Sequence, residues 1–312
     1  MINIDAEIFS EFKCKADKCQ HSCCKGWEID IDEDTLDYYK SLDTELGNEI
    51  RQNIHEGEDT FFKLTSDERC PFLKDNGLCK LIEELGEDAL CDICRLHPRF
   101  YEDINDYSLA GVGLSCEKAA ELLFEKTSLN FIICDSQKVV SFTELLELLE
   151  IDISKVSLKL SDMIPDYLDE AKIERILDIF YITEPIDSNW KNEVLLIKKS
   201  FKEYLNKLNN MKSINDQNNH DDMEDSDSSK NLDDKKLDVK KFELIYQYIL
   251  FRQLELIEEY GLQKIIDYAI YSIIFIMLYA NSFHDDIEAV RRWSEQIEYN
   301  EDNIVIILNE LD

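Results

Sequence analysis

Glycine and proline are scarce, with eight and four among 312 residues. A fold rich in tight turns, such as an all-β sandwich, needs more of both, so long helices are expected. Basic residues are also few: Lys and Arg total 34 against 68 Asp and Glu, for a formal net charge of −34. So acidic a chain repels nucleic acid and anionic lipid and attracts basic proteins. The same charge also serves plain solubility. No uncharged apolar run reaches the ~18–20 residues that cross a bilayer. The longest, YAIYSIIFIMLYANSF (268–283), is closely flanked by Asp267 and His284 and reads as a buried core helix, not a membrane insertion. The opening MINIDAEIFSEF has no basic start followed by an apolar stretch, so a cytoplasmic chain is expected.

What the chain does have is cysteine, unevenly placed. Cys14, Cys19, Cys23, Cys24, Cys70, Cys79, Cys91, Cys94 and Cys116 precede residue 117, whereas Cys134 stands apart in an apolar FIICD setting that suits a structural thiol. In a reducing compartment, grouped cysteines more often hold metal than form disulfides. Cys91-x2-Cys94 on a turn presents two sulfurs to one ion, and the arms of a hairpin carrying Cys70 and Cys79 supply more. Four thiolates suit Zn²⁺ or an iron–sulfur cluster, and the spacing does not choose between them. Nine thiols exceed one four-ligand site, so either there are two sites or some thiols are not ligands. The spacing Cys19-x3-Cys23 begins the radical S-adenosylmethionine pattern, but Gly26 occupies the third cysteine's place. CDIC (91–94) has no βαβ surroundings to make it thioredoxin-like. Arg95 and Arg99 flank His97 beside Cys94. Their guanidinium groups suit a carboxylate or phosphate, or offset the negative charge of a thiolate cluster.

The sequence changes character near residue 130. Before it, GWEIDID, TFFKL, CPFL and LCKL read as short strands, KDNG as a turn, RFYEDINDYSLAG as a hairpin turning at Asn105-Asp106, and CEKAAELLFEK as a helix. Asp32 or Asp34 is a cap for a helix over TLDYYKSL. After it, SFTELLELLE, AKIERILDIFYI, WKNEVLLIKKSFKEYLNKL, KFELIYQYILFRQLELIEEY and LQKIIDYAIYSIIFIMLYA carry helical periodicity. Residues 213–238 are polar and acidic and read as a disordered insert. The expectation is a mainly α protein: a cysteine-rich metal-binding α+β region with short hairpins (1–130), then an all-α body in two parts (131–212 and 239–312) around the insert.

CCKGWEIDID (23–32), CPFL with GLCKL (70–81), LGEDALCDICRLHPRFYE (85–102) and LSCEKAAELL (114–123) together resemble the flagellin lysine-N-methylase family. The cysteine elements alone are also similar to small zinc- or iron-chelating proteins. The resemblance implies methyl transfer from S-adenosylmethionine to lysines of flagellin, and an iron–sulfur cluster, of the 4Fe-4S kind, or zinc at the N-terminal cysteines. Arg95, Arg99 and Trp27 are then candidates to hold the methyl donor, since aromatic faces attract a sulfonium; Phe100, Tyr101 and Tyr107 are further aromatic candidates. Two alternatives stand beside this: a non-catalytic iron–sulfur or zinc protein for metal handling or electron transfer, and an acidic adaptor that binds a basic partner.

Overall fold

The structure, a computed structural model, describes residues 1–202 and 239–311; the acidic segment 213–238 lies outside them. The chain divides into two compact units. The first comprises Met1–Glu125 with Asn130–Ser141, and the second Lys126–Leu129 with Phe142–Asp312.

The first unit opens with a strand, β1 (Ile2–Ala6), and a short helix, α1 (Glu7–Glu11). Then come β2 (Ile29–Asp30), α2 (Glu33–Ser41), α3 (Glu45–Gln52), β3 (Ile54–Glu56) and β4 (Thr60–Phe62). They are followed by α4 (Lys80–Leu85), α5 (Asp92–Leu96), β5 (Arg99–Ile104), β6 (Tyr107–Val112), α6 (Glu117–Glu125), β7 (Asn130–Ile133) and β8 (Lys138–Ser141). The strands make a five-stranded sheet of order β5-β6-β1-β7-β8 and a three-stranded sheet of order β2-β4-β3.

β1 is central in the larger sheet, parallel to β6 and antiparallel to β7. Its alternation puts Ile4 and Ala6 in the core. Five residues of alternation at a chain start give a weak signal, and this strand is not among those expected. The hairpin β5–β6 turns where expected, with Asn105 in the left-handed region at φ +54°. A second hairpin, β7–β8, carries the sheet past residue 130, where helix was expected. NFII and KVVS are short and rich in β-branched residues, which a sheet edge accepts.

Around the smaller sheet lies a compact apolar core. Phe62 and Phe72 meet edge to face at 5.1 Å, and Tyr39 packs on Phe62 at 6.0 Å. Cys70 and Cys91 are buried within this same core. Truncating Phe62 to Ala removes a fully buried ring, at a cost of about 3–5 kcal/mol.

The second unit is helical: α7 (Phe142–Leu148), α8 (Leu160–Met163), α9 (Glu170–Ile182), α10 (190–202), α11 (Glu243–Arg252), α12 (Ile257–Tyr260), α13 (Leu262–Phe283), α14 (Asp286–Ile297) and α15 (Glu301–Glu310). The run KFELIYQYILFRQLELIEEY is not one helix. It breaks at the buried Gln253, whose N–H satisfies the carbonyls of Leu250 and Phe251 at the end of α11. It stops again at Gly261, whose φ of +82° lets the chain turn into α13. α13 extends beyond the uncharged run read from the sequence. By length and composition it is sufficient to cross a membrane, yet 78% of its most apolar stretch is buried inside this protein.

Candidate metal centre

The thiols of the first unit are carried on turns that backbone hydrogen bonds fix. The Cys70 N–H donates to the Cys24 carbonyl and the Gly26 N–H to the Glu68 carbonyl, both at 2.8 Å. Residues 24–26 and 68–70 thus run side by side. From Cys70 the chain reverses through the KDNG turn, closed by Gly77 N–H to Lys74 carbonyl at 2.9 Å. Gly77 has φ +82°, and a Cβ there would stand 3.2 Å from the Asp17 Cα. The turn therefore needs glycine twice over, for its conformation and for close approach of the 14–19 loop. The expected strands on either side shrink to one bridge, Leu73 with Cys79, because LCKL starts helix α4 instead.

Cys91 and Cys94 are held by α2. Asp32 caps that helix through Thr35 N–H at 2.9 Å, and its second oxygen accepts Asp92 N–H at 2.8 Å. Burial pushes the Asp32 carboxyl up, but these N–H donors hold it below its ordinary range. The Tyr39 hydroxyl, buried, donates to the Ala89 carbonyl at 2.7 Å. One helix thereby grips the chain on either side of Cys91.

The nine thiols form two neighbouring sets joined by the contact between Cys23 and Cys24. Cys70 and Cys91 sit in the core, and Cys24, Cys79 and Cys94 pack against it. These five sense one another electrostatically: Cys70 responds to Cys24, Cys79 and Cys91, and Cys94 to Cys91, Cys24 and Cys70. Cys94 donates to Cys91 and so lowers the Cys91 pKa. Cys23 donates to Cys24 in the same way and holds it at about 7, against burial. Burial pushes Cys70 up to about 12, with the Phe72 N–H opposing. It also raises Cys79, where the N–H groups of Ile82 and Leu81 oppose it.

Cys14, Cys19 and Cys116 lie about Glu117, and Cys23, whose thiol meets Cys24, links them to the core set. The Glu117 carboxylate accepts Gln20 N–H at 2.8 Å and His21 N–H at 3.1 Å, and binds Lys15. Lys15 also reaches Glu121 at 2.5 Å. The 14–23 loop is thus pinned to the start of α6, beside Cys116. Cys19 is pushed up to about 11, by burial first and then by Cys116, Glu117 and Cys14. Cys14 and Cys23 are exposed. A shallow cleft of about 180 Å³ opens beside Cys19, between this loop and the KDNG turn, with Lys25, Arg69 and Lys74 on its wall.

The remaining expected residues are dispersed. Trp27 lies against the core, its indole N–H donating to the Cys23 carbonyl at 2.7 Å, with the His97 ring 6.3 Å away. Burial drops the His97 pKa to about 4, so the ring is neutral at physiological pH. Arg95 is exposed and paired with Asp92. Arg99 stacks over Phe12 at 5.3 Å and Phe9 at 5.9 Å, on the larger sheet. Tyr101 is exposed on β5 and meets Phe9 edge-on; Phe100 and Tyr107 are half-buried in the same hairpin. Arg95 and Arg99 do not form one fork. Cys134, at the end of β7, has Asp5 and Asp135 as charged neighbours. Lys15, Tyr39 and Glu117 were not singled out from the sequence. Nothing in the spacing marks Glu117, since its partners lie about a hundred residues away.

The donor set fits a soft metal in kind and number, with the Cys24 and Cys91 thiols lowered in pKa by neighbouring thiols and a buried apolar wall. Geometrically the sulfurs are gathered but not closed: among the described residues, no group of three or more His, Cys, Asp or Glu side chains is arranged to hold an ion as it stands.

The chain is 31% identical over 117 residues to the lysine-N-methylases of Salmonella typhimurium and Salmonella choleraesuis, covering 34% of this chain and 28% of each of theirs. Over the same share of this chain it is 31% identical to the flagellar biosynthetic protein FliU of Salmonella muenchen, of which 68% is covered. It belongs to the family of FliU and the lysine-N-methylases. The chain spans 28% of the length of the curated lysine-N-methylases it matches. No family model matches it, and no solved structure does.

Proposed function

We propose that this protein is a cytoplasmic protein-lysine methyltransferase acting on flagellin, with S-adenosylmethionine as methyl donor and an iron–sulfur or zinc centre on the first unit. The similarity to lysine-N-methylases and to FliU carries this proposal. The gathered thiols and the −34 charge, which favours approach of a lysine-bearing protein, support it.

S-adenosylmethionine supplies a methyl group on a sulfonium. The lysine amine has to arrive neutral and in line, so that the N–C bond forms as the C–S bond breaks and the ammonium proton passes to an acceptor. Desolvation beside an apolar wall favours the neutral amine. Of the residues on this chain, Trp27 is the one we assign to the cationic donor. Its ring is fixed by the hydrogen bond to Cys23 and lies next to a neutral His97, so no imidazolium competes for its face. Arg99 is already occupied by two aromatic rings and Arg95 by Asp92. We assign the metal to the thiol groups, whose sulfurs would hold it as a soft-ligand set.

Intact-mass measurement of flagellin after incubation with the protein and S-adenosylmethionine tests the proposal. Mass steps of one methyl group, absent without the donor, are expected. Unchanged flagellin together with tight metal and no binding of S-adenosylmethionine overturns it. The thiol density then favours a non-catalytic metalloprotein, and flagellin binding without modification an acidic adaptor.

A further inference from the structure

We propose that the cleft between the 14–23 loop and the KDNG turn is a binding site for a small oxyanion, the phosphate or carboxylate group of a ligand, held by Lys25 and Arg69 with Lys74 at its rim.

The backbone sets the first two cations against each other. The bonds from Cys70 N–H to the Cys24 carbonyl and from Gly26 N–H to the Glu68 carbonyl enclose an antiparallel bridge between Lys25 and Arg69. Two residues framed in this way exchange no hydrogen bond of their own, and their side chains leave the same face at the closest approach a ladder allows. Like charges opposed so directly destabilise the pairing, and an anion between them relieves it. Both side chains line the same cleft.

The carboxylates nearby leave much of this charge unanswered. Asp67 and Asp75 each stand 3.9 Å from the Arg69 guanidinium, at the outer limit of an ion pair, and both are exposed. Asp67 is also engaged by the Thr65 hydroxyl at 2.7 Å. The guanidinium is itself only 25% exposed, and its hydrogen bonds, to the Leu73 and Lys74 carbonyls, are both long at 3.4 Å. Lys74 is paired with Glu83 at 2.7 Å and so contributes less. Ser22, also on the wall, accepts the Cys24 N–H at 3.2 Å and keeps its hydroxyl proton to donate.

The wall departs from the chain around it. The whole sequence carries 68 acidic residues against 34 basic ones, whereas the cleft is lined by three basic residues and two acidic ones, Asp17 and Asp75. A concave surface of locally positive sign focuses its field on an anion. The planar fork of a guanidinium matches a carboxylate or phosphate, and a space of about 180 Å³ admits either group.

Calorimetric titration of inorganic phosphate and, in parallel, acetate into the full chain, purified without oxygen, tests this. Saturable binding is expected. It should weaken about tenfold in Arg69→Gln, which loses charge-assisted hydrogen bonds, and several-fold in Lys25→Gln. Lys80→Gln, which removes a cation paired with Glu49 outside the cleft, is expected to bind as the wild type does. Phosphate binding tighter than acetate assigns a phosphate-bearing ligand, and the reverse order a carboxylate. No saturable binding of either ion overturns the proposal, as does a loss in Lys80→Gln equal to that in Lys25→Gln. Binding that follows metal content, measured on the same samples, and is indifferent to Lys25 overturns it too. If Arg69→Gln disturbs the turn, Lys25→Gln still decides the question, because its side chain is exposed and its backbone stays in the bridge.

Discussion

The carboxylate of Glu117 accepts the backbone N–H of Gln20 at 2.8 Å, across 97 residues of sequence. With His21 and Lys15 on the same group, one buried side chain fixes the loop on which Cys14, Cys19 and Cys23 lie. Glu117→Ala leaves two partly buried N–H donors without their acceptor and Lys15 with Glu121 alone. The expected loss is about 2 kcal/mol in urea unfolding, with Glu117→Gln in between because it keeps one acceptor oxygen. Hydrogen exchange at the Gln20 and His21 amides should quicken in the Ala variant. Unchanged protection there means the loop is held by other contacts.

Asp32 has a comparable role at the core thiols. It caps α2 and also accepts the Asp92 N–H. Asp32→Ala removes both bonds, which at ~1 kcal/mol for each cap predicts a loss of about 1–2 kcal/mol. Thr35→Ala leaves both N–H bonds in place and removes only the hydroxyl contact that Thr35 also makes with Asp32, so a smaller loss is expected. A loss of equal size in the two variants puts the effect in helix propensity and not in the cap.

These two carboxylates show what was legible in the sequence. Asp32 was readable as a cap, because a cap is a local pattern: an acidic residue at the foot of an apolar-periodic stretch. Its second bond, to Asp92, was not. Glu117 lay in a stretch expected to be helical with nothing local to single it out, and only the fold brings the 14–23 loop to it. The hairpin over 99–112 and the helices over 117–125 and 262–283 were legible for the same local reasons. β1 was missed because its centrality comes from β6 and β7, which lie more than a hundred residues on. Grouping of the thiols was visible as clustering along the chain, but the packing of Cys70 and Cys91 into the apolar core was not, since the partners that bury them are distant in sequence. The helical unit was legible in type but not in its interruption at Gln253.

Cys91 and Cys134 should separate the roles of the thiols. Cys91 is fully buried among Tyr39, Phe62 and Phe72, and Cys94 lowers its pKa. Cys91→Ser puts a hydroxyl in an apolar wall and removes a proposed ligand. Metal content and cooperative unfolding should both suffer. Cys134→Ser changes a half-buried side chain at a strand end, and its backbone bond to the Asn3 carbonyl is untouched. Its metal content should equal that of the wild type. Equal metal in both variants would falsify the assignment of Cys91.

Arg292 provides the pH test, within the helical unit. It is buried on α14, stacks over Trp190 at 5.9 Å, and binds Asp187 at 2.9 Å and Glu193 at 2.8 Å, with Glu295 at 2.7 Å. Burial pushes the Asp187 carboxyl up, but Arg292 and the N–H groups of Asn189 and Trp190 bring it net below the ordinary range. A carboxylate depressed in the folded state contributes its full stability above the unfolded pKa, ~3.9 for Asp. It loses that contribution as pH falls through the lower folded value. Arg292→Leu leaves three carboxylates without their shared cation, and partial solvent access to them limits the cost at pH 7 to about 2–3 kcal/mol. As pH falls below about 4 the wild type begins to lose its ion-pair contribution, while the variant has none to lose. The stability gap between them should therefore narrow with acid. Urea unfolding followed by tryptophan fluorescence reads this, since Trp190 and Trp293 are both fully buried in this unit. A gap of the same size at pH 7 and pH 3 shows that Arg292 acts by packing on Trp190 and not through its charge.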